Sequence, residues 1–248
     1  MDGASKKVDK IVRLQAVREI LRQTPQRINK IFLARELPRA RFQEIITQSR
    51  QANVPVVFVP RQRLDQMSPH HQGIVALISP KEFVSLESIL EASSCPFIVF
   101  LDEIEDPQNL GAIIRSAEAA GVDGLVLPER HSAGLTSAVY QASAGALEYA
   151  RIARVKNLAR AIEEVKARGL WVVGAEAGSQ ALWFEFDYTL PVALVFGSEG
   201  RGLRRLVREY CDRLLSIPLA GHVNSLNVAA AASIFFFEVL RQRRLKKA

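Results

Sequence analysis

The stretch FIVFLDEIEDPQNLGAIIRSAEAAG, residues 97–121, joins two patterns. FIVFLDEI is a nearly continuous apolar run, as expected of a strand covered on both faces in a parallel sheet. The remainder is rich in small residues and reads as a helix, with Asn109 at its start as a candidate cap. Arg115 sits among Ala, Ile and Gly, and no acid lies three or four residues before it. Burying a guanidinium is costly unless something pairs with it, so this arginine is read as awaiting an anion.

Outward from that stretch the same alternation continues. Strand-like runs recur as GLVLP (124–128), LWVVGAE (170–176), VALVFG (192–197) and LLSIPL (214–219), separated by helical patterns over 110–120, 133–146, 157–168, 201–210 and 225–244. Alternating strands and helices specify an α/β domain with a doubly wound sheet. Before it, VRLQAVREILRQ (12–23) has helical spacing, INKIFLA and VPVVFVP read as strands around the helix RARFQEIITQSRQAN, and GIVALIS closes a small α/β unit. The change of texture at 81–95, ending Ser-Ser-Cys-Pro, predicts a linker between a domain over 1–80 and one over 96–248.

Charge separates the two parts. Residues 1–80 carry 14 Lys and Arg against 6 Asp and Glu, a net +8, whereas residues 81–248 sum to −1. A basic module joined to a neutral one suggests a part that grips a polyanion and a part that works on it. The opening MDGASKKVDK has no apolar signal core and no run approaches a membrane span, so a cytoplasmic protein is expected. Cys95 and Cys211 have neither metal-ligand spacing nor disulfide density, and no metal is expected.

Ligands of open α/β sheets bind beyond the carboxyl ends of the strands, and three such ends carry unusual sequence. VFGSEGRGL (195–203) runs from strand into a glycine loop spaced G-x-x-G-x-G, which is not the dinucleotide fingerprint, and no acid follows at the ribose-binding distance. A nicotinamide enzyme is therefore disfavoured. IPLAGHVNSLNVAAAASI (217–234) passes through a loop into a helix led by Asn224, Ser225 and Asn227, more polar groups than one cap requires. His222 in that loop is not assigned a role. The third end is the opening stretch itself.

NLGAIIRSAEAAG, LVFGSEGRGL and IPLAGHVNSLNVAAAASI, in this order, resemble the three motifs of the SpoU (TrmH) branch of the SPOUT RNA methyltransferases. The resemblance covers about 96–248, and HHQGIVAL with the basic α/β unit extends it, although Arg13 stands where such chains commonly carry glycine. It implies a ribosomal-protein-like RNA-binding domain, a SPOUT domain with a trefoil knot, S-adenosyl-L-methionine as cofactor, and 2′-O-methylation of a ribose, a guanosine of large-subunit rRNA. It implies RNA rather than DNA or membrane as partner. Asn109 and Arg115 would serve catalysis and substrate binding, with Glu199, Ser225 and Asn227 completing the polar site. Backbone at Gly197, Gly200, Ile217, Leu219 and Leu226 would hold the cofactor. A guanidinium, protonated at all ordinary pH, is a poor base; Glu199 is the other candidate for proton acceptor, and the sequence does not choose. A tRNA substrate, or a non-catalytic RNA-binding assembly protein, are the alternatives.

The same resemblance implies a homodimer with Arg115 of one subunit facing the cofactor of the other. The C-terminal helix supports this independently. Phe235, Phe236 and Phe237 fan across roughly 200° of its circumference, an arc that one sheet is not expected to cover.

Overall fold

The computed structural model describes residues 9–247; residues 1–8, and with them most of the segment in which no signal core is expected, lie outside it. In chain order the elements are β1 (Asp9–Ile11), α1 (Leu14–Gln23), β2 (Ile28–Ala34), α2 (Gln43–Gln51), β3 (Val56–Val59), α3 (Arg61–Met67) and β4 (Ile74–Ile78). There follow α4 (Leu86–Leu90), β5 (Phe97–Leu101), α5 (Pro107–Ala120), β6 (Gly124–Pro128), α6 (Ser137–Ala142), β7 (Ile152–Val155) and α7 (Leu158–Ala167). The chain ends with β8 (Trp171–Ala175), β9 (Val192–Phe196), α8 (Arg205–Tyr210), β10 (Arg213–Leu215) and α9 (Val228–Lys247). Packing divides it into two units, residues up to 82 with 134–149, and residues 83–133 with 150 onward.

In the first unit β4 lies antiparallel between β1 and β2, while β2 pairs parallel with β3. Val17, Ile20 and Leu21 on one stripe of α1 and Ile31 and Leu33 of β2 are buried in it. His71 of the HHQG turn is buried: its Nδ1 accepts from the Gly73 N–H at 3.0 Å, so Nε2 carries the proton facing Asp65 at 2.9 Å. The stretch 133–146, expected as one helix, forms only the short α6 before a 3₁₀ turn over Ala146–Glu148. The fully buried Glu148 carboxylate receives Arg27 at 2.7 Å and the Thr24 hydroxyl. An acid so far from water is tolerable because donors surround it. Because β2 and β3 are parallel, the segments after them share one sheet edge, and Arg35, Arg39, Arg41, Arg61 and Arg63 are all exposed there.

The second unit is the doubly wound domain. Its six strands are all parallel in the order β10-β8-β9-β5-β6-β7. All five residues of β5 are buried, which is why FIVFL contains no polar alternation. Ile98, Phe100, Val126, Val172 and Val195 face one layer, made by α4, α7 and α8. On the other face Phe97 and Phe196 meet Phe235 and Phe236 of α9 edge to face, and α9 packs on α5. Thus this chain alone buries two residues of the phenylalanine triplet, and only Phe237 stays outside, 48% exposed. Arg243 fastens α9 to the sheet by donating to the carbonyls of Cys95, Pro96, Tyr188 and Leu190. Residues 81–95, expected as a linker, include α4, whose Leu86, Ile89 and Leu90 belong to this unit's core.

Candidate functional site

The carboxyl ends of β5, β8, β9 and β10 converge on one edge of the parallel sheet, and there two adjoining cavities open. The first, of about 340 Å³, is walled by the residues that follow β8 and β9 and by the segment from Leu215 to Ala231. Gly197, Gly200, Ile217, Leu219 and Leu226, the five positions expected to hold a cofactor, all line it, together with Glu199 and Ser225. The second, of about 540 Å³, contains Asn109 and Glu199 and is rimmed by Glu103, Glu105, Asp106, His131 and Arg201. Ser198, Glu199, Arg201 and Val228 belong to both.

The glycine loop owes its course to close backbone packing. A Cβ at Gly197 would lie 2.1 Å from the carbonyl carbon and oxygen of Gly202, so the chain can double back only with hydrogen there. Gly202 N–H then donates to the Ser198 carbonyl at 2.9 Å. The expected helix over 201–210 accordingly begins later, at Arg205. Asp102, at the end of β5, holds the loop from below. Its carboxylate is shielded from solvent and accepts from the Arg204 backbone N–H at 3.0 Å and from the Arg204 guanidinium at 2.7 and 2.6 Å. Arg204→Ala removes the neutralising cation and leaves Asp102 buried with its charge. Because the Arg204 side chain is half exposed and its backbone N–H still serves Asp102, the expected cost is about 1.5 kcal/mol, that of a hydrogen bond to a charged group, read as a lower denaturation midpoint with an unchanged slope.

Three of the polar residues form one chain. Asn227 Oδ1 caps α9, accepting from Ala229 N–H at 3.0 Å and Ala230 N–H at 3.4 Å. Its Nδ2 donates to Asn109 Oδ1 at 2.9 Å, and Asn109 Nδ2 donates to Glu199 Oε2 at 3.2 Å. Each amide is oriented by the next, so the Glu199 carboxylate is held at the junction of the two cavities. Asn109 is not the cap of its helix. Asp106 takes that role, accepting from the Gln108 and Asn109 N–H groups, with Pro107 at the first helical position, where no amide proton is needed. Asn109 is thereby left free to point its side chain at the site.

Arg115 is exposed on α5, lines neither cavity, and has no ion pair among the described residues. Within one chain the structure does not bring it to Asn109, Glu199 and Asn227. Sequence reasoning passed over Glu176, which closes the first cavity at the end of β8; the only signal was an acid directly after an apolar strand. Among the described residues, no group of three or more His, Cys, Asp or Glu side chains is placed to hold a metal ion, and no helix is long and apolar enough to cross a membrane.

The donor set suits a nucleoside-sized cation. The first cavity has an apolar wall for a flat ring, a close glycine backbone, carboxylates for positive charge, and one shielded carboxylate oxygen without a hydrogen-bond partner, on Glu176.

Comparison with known proteins bears on both units. Residues 96–237 match the model of the SpoU rRNA methylase family, and residues 14–84 match that of the RNA 2′-O ribose methyltransferase substrate-binding domain. A Bacillus subtilis protein named as a TrmH-family tRNA/rRNA methyltransferase, YacO, is 41% identical over 96% of this chain and 98% of its own length. A Staphylococcus haemolyticus protein of the same description is 40% identical over 94% and 95%. Among solved structures, the SpoU methyltransferase AviRb of Streptomyces viridochromogenes, in complex with AdoMet, superposes with a TM-score of 0.82 at 26% identity, covering 95% of this chain and 90% of that one. An AdoMet-bound rRNA methyltransferase of Sinorhizobium meliloti gives 0.80 at 26%, covering 94% and 87%.

Proposed function

Because the chain belongs to the SpoU (TrmH) family of RNA 2′-O-ribose methyltransferases, we propose that it uses the first cavity to bind S-adenosylmethionine and methylates a guanosine ribose of large-subunit rRNA. The observation that carries this assignment of the site is the Asn227–Asn109–Glu199 chain of hydrogen bonds, which ends on Glu199 at the junction of the two cavities. The cofactor supplies an electrophilic methyl group on a sulfonium. The chain's own residues supply position and charge, and holding two reactants in line accounts for much of the rate. With the cofactor bound, Glu199, fixed by Asn109, would receive the 2′-hydroxyl proton as the methyl passes to the ribose oxygen and the sulfur keeps the electron pair of the broken carbon–sulfur bond. Arg115, a permanent cation, holds the neighbouring phosphate and stabilises charge developing on that oxygen. Ser225, exposed on the cavity wall, contacts the bound nucleotide or cofactor through its hydroxyl.

Since Arg115 lies away from the cavity of its own chain, the proposal includes a homodimer in which it serves the partner's site. Phe237, left outside the core on α9, belongs to the covering interface. A trefoil knot formed by the segments after β9 and β10, and a cytoplasmic location beside the RNA, are parts of the same proposal. The direct assay is transfer of labelled methyl from S-adenosylmethionine to rRNA transcripts, with the product identified as an alkali-resistant dinucleotide. Label on a base, or on tRNA alone, contradicts it.

RNA grip is assigned to the arginines at the β2–β3 edge. Replacing Arg41, Arg61 and Arg63 together with Gln is expected to weaken rRNA binding and reduce the slope of log K against log salt by about 2, at roughly 0.7 per phosphate contact for single strands. An unchanged slope would make this edge a solvated surface only.

A further inference from the structure

Glu176 is not used by any step above, and its two oxygens have different surroundings. Oε1 lies 3.6 Å from an Arg208 guanidinium nitrogen, in a pair whose arginine is largely exposed. Oε2 is shielded from solvent and has no hydrogen-bond partner among the described residues. It abuts the glycine loop that walls the first cavity: a side-chain carbon at Gly202 would stand 3.8 Å from it. A shielded carboxylate oxygen without a donor is unfavourable in the free protein and is relieved by any ligand that brings one.

The order of the strands tells which part of the ligand comes near. β9 separates β8 from β5, so at about 4.8 Å per strand Glu176 lies across the end of β9 from the helix that carries Asn109. The apolar wall of Ile217, Leu219 and Leu226 is built by the chain following β10, the strand that flanks β8 on its other side. An adenine ring against that wall and a sulfonium beside Glu199 leave the sugar between them, passing Glu176.

We propose that the Glu176 carboxylate, only loosely held by Arg208, turns its unpartnered oxygen to accept hydrogen bonds from the ribose hydroxyls of the adenosyl group, which makes Glu176 a specificity determinant for ribonucleoside cofactors. The proposal rests on the assignment of this cavity to S-adenosylmethionine, and the test separates the two. Calorimetry would compare S-adenosylhomocysteine with its 2′,3′-dideoxyadenosyl counterpart on full-length wild type, Glu176→Ala and Arg208→Ala, each checked for an intact melting transition. Wild type is expected to bind the dideoxy compound at least about tenfold more weakly, the usual loss when a charged acceptor is left without its donor. Glu176→Ala is expected to lose about tenfold for S-adenosylhomocysteine and to discriminate less than about twofold, while Arg208→Ala keeps the wild-type preference. Equal weakening of both compounds by Glu176→Ala would place the carboxylate on the ammonium of the amino-acid tail and overturn the proposal. Unchanged affinities would reduce Glu176 to a partner of Arg208 and also overturn it. Failure of wild type to bind S-adenosylhomocysteine at all would instead contradict the cofactor assignment.

Discussion

Gly197→Ala is expected to lower the affinity for S-adenosylmethionine by at least about 100-fold, or roughly 2.7 kcal/mol. The added methyl would stand 2.1 Å from the Gly202 carbonyl and 2.4 Å from the Leu203 nitrogen. These are backbone atoms, which no rotamer change can move aside. The loop from Ser198 to Leu203 must therefore lift away from the end of β9, carrying with it the wall of the first cavity. Gly200→Ala is the matched control. Its Cβ meets nothing within 4 Å, and only the left-handed φ of 85° penalises it. That strain is worth about 1 kcal/mol, so its affinity is expected to fall less than about tenfold. Calorimetry on both variants, alongside thermal melts, checks the contrast. Equal losses would show that backbone strain, not the crossing of the loop on itself, shapes the cavity.

Arg115→Ala is expected to reduce the rate of methyl transfer by about 100- to 1000-fold, the effect of removing one group that stabilises transition-state charge. Affinity for the cofactor should change little, because the role assigned to Arg115 is on the RNA phosphate and the reacting oxygen, not on the cofactor. Asn227→Ala should be comparably inactive, since it releases Asn109 from the orientation in which it donates to Glu199. Mixing the two inactive proteins then distinguishes a shared site from a self-contained one. In a heterodimer with shared sites, one site collects both defects and the other is intact. Random pairing of equal amounts restores about one quarter of wild-type activity. A mixture as inactive as its parents, after subunit exchange has been verified, would confine each site to one chain.

Much of the parallel domain is readable because its strands are buried on both faces: GLVLP coincides with β6, all five residues of which are buried. Local chemistry misled at element ends. The helix after β5 starts at Pro107 because Asp106 caps it, although Asn109 is also a good capping residue. The last helix starts at Val228 because Asn227, and not Ser225, takes the cap. Of LLSIPL only Leu214 and Leu215 fall in β10, because the chain from Ser216 onward turns to wall the cavity. Other features depend on contacts between distant residues and leave no periodic trace. β1 is three residues long and exists through its pairing with β4. The segment 134–149 joins the first unit through the buried Glu148 and its donors Arg27 and Thr24, more than 120 residues away in sequence. Among the candidate site residues, Asn109, Glu199 and Asn227 are brought together in one chain of hydrogen bonds and Ser225 is on the cavity wall. Arg115 stands apart from them, exposed on α5 and lining neither cavity.

The most direct test of the central claim is a map of 2′-O-methylated riboses in rRNA and tRNA from cells carrying the gene, lacking it, and complemented with wild type or Asn109→Ala. The predicted result is the loss of one methyl group, on a guanosine of large-subunit rRNA, restored by wild type and not by the variant. Unchanged rRNA methylation in cells lacking the gene, or a loss confined to tRNA, would contradict the account.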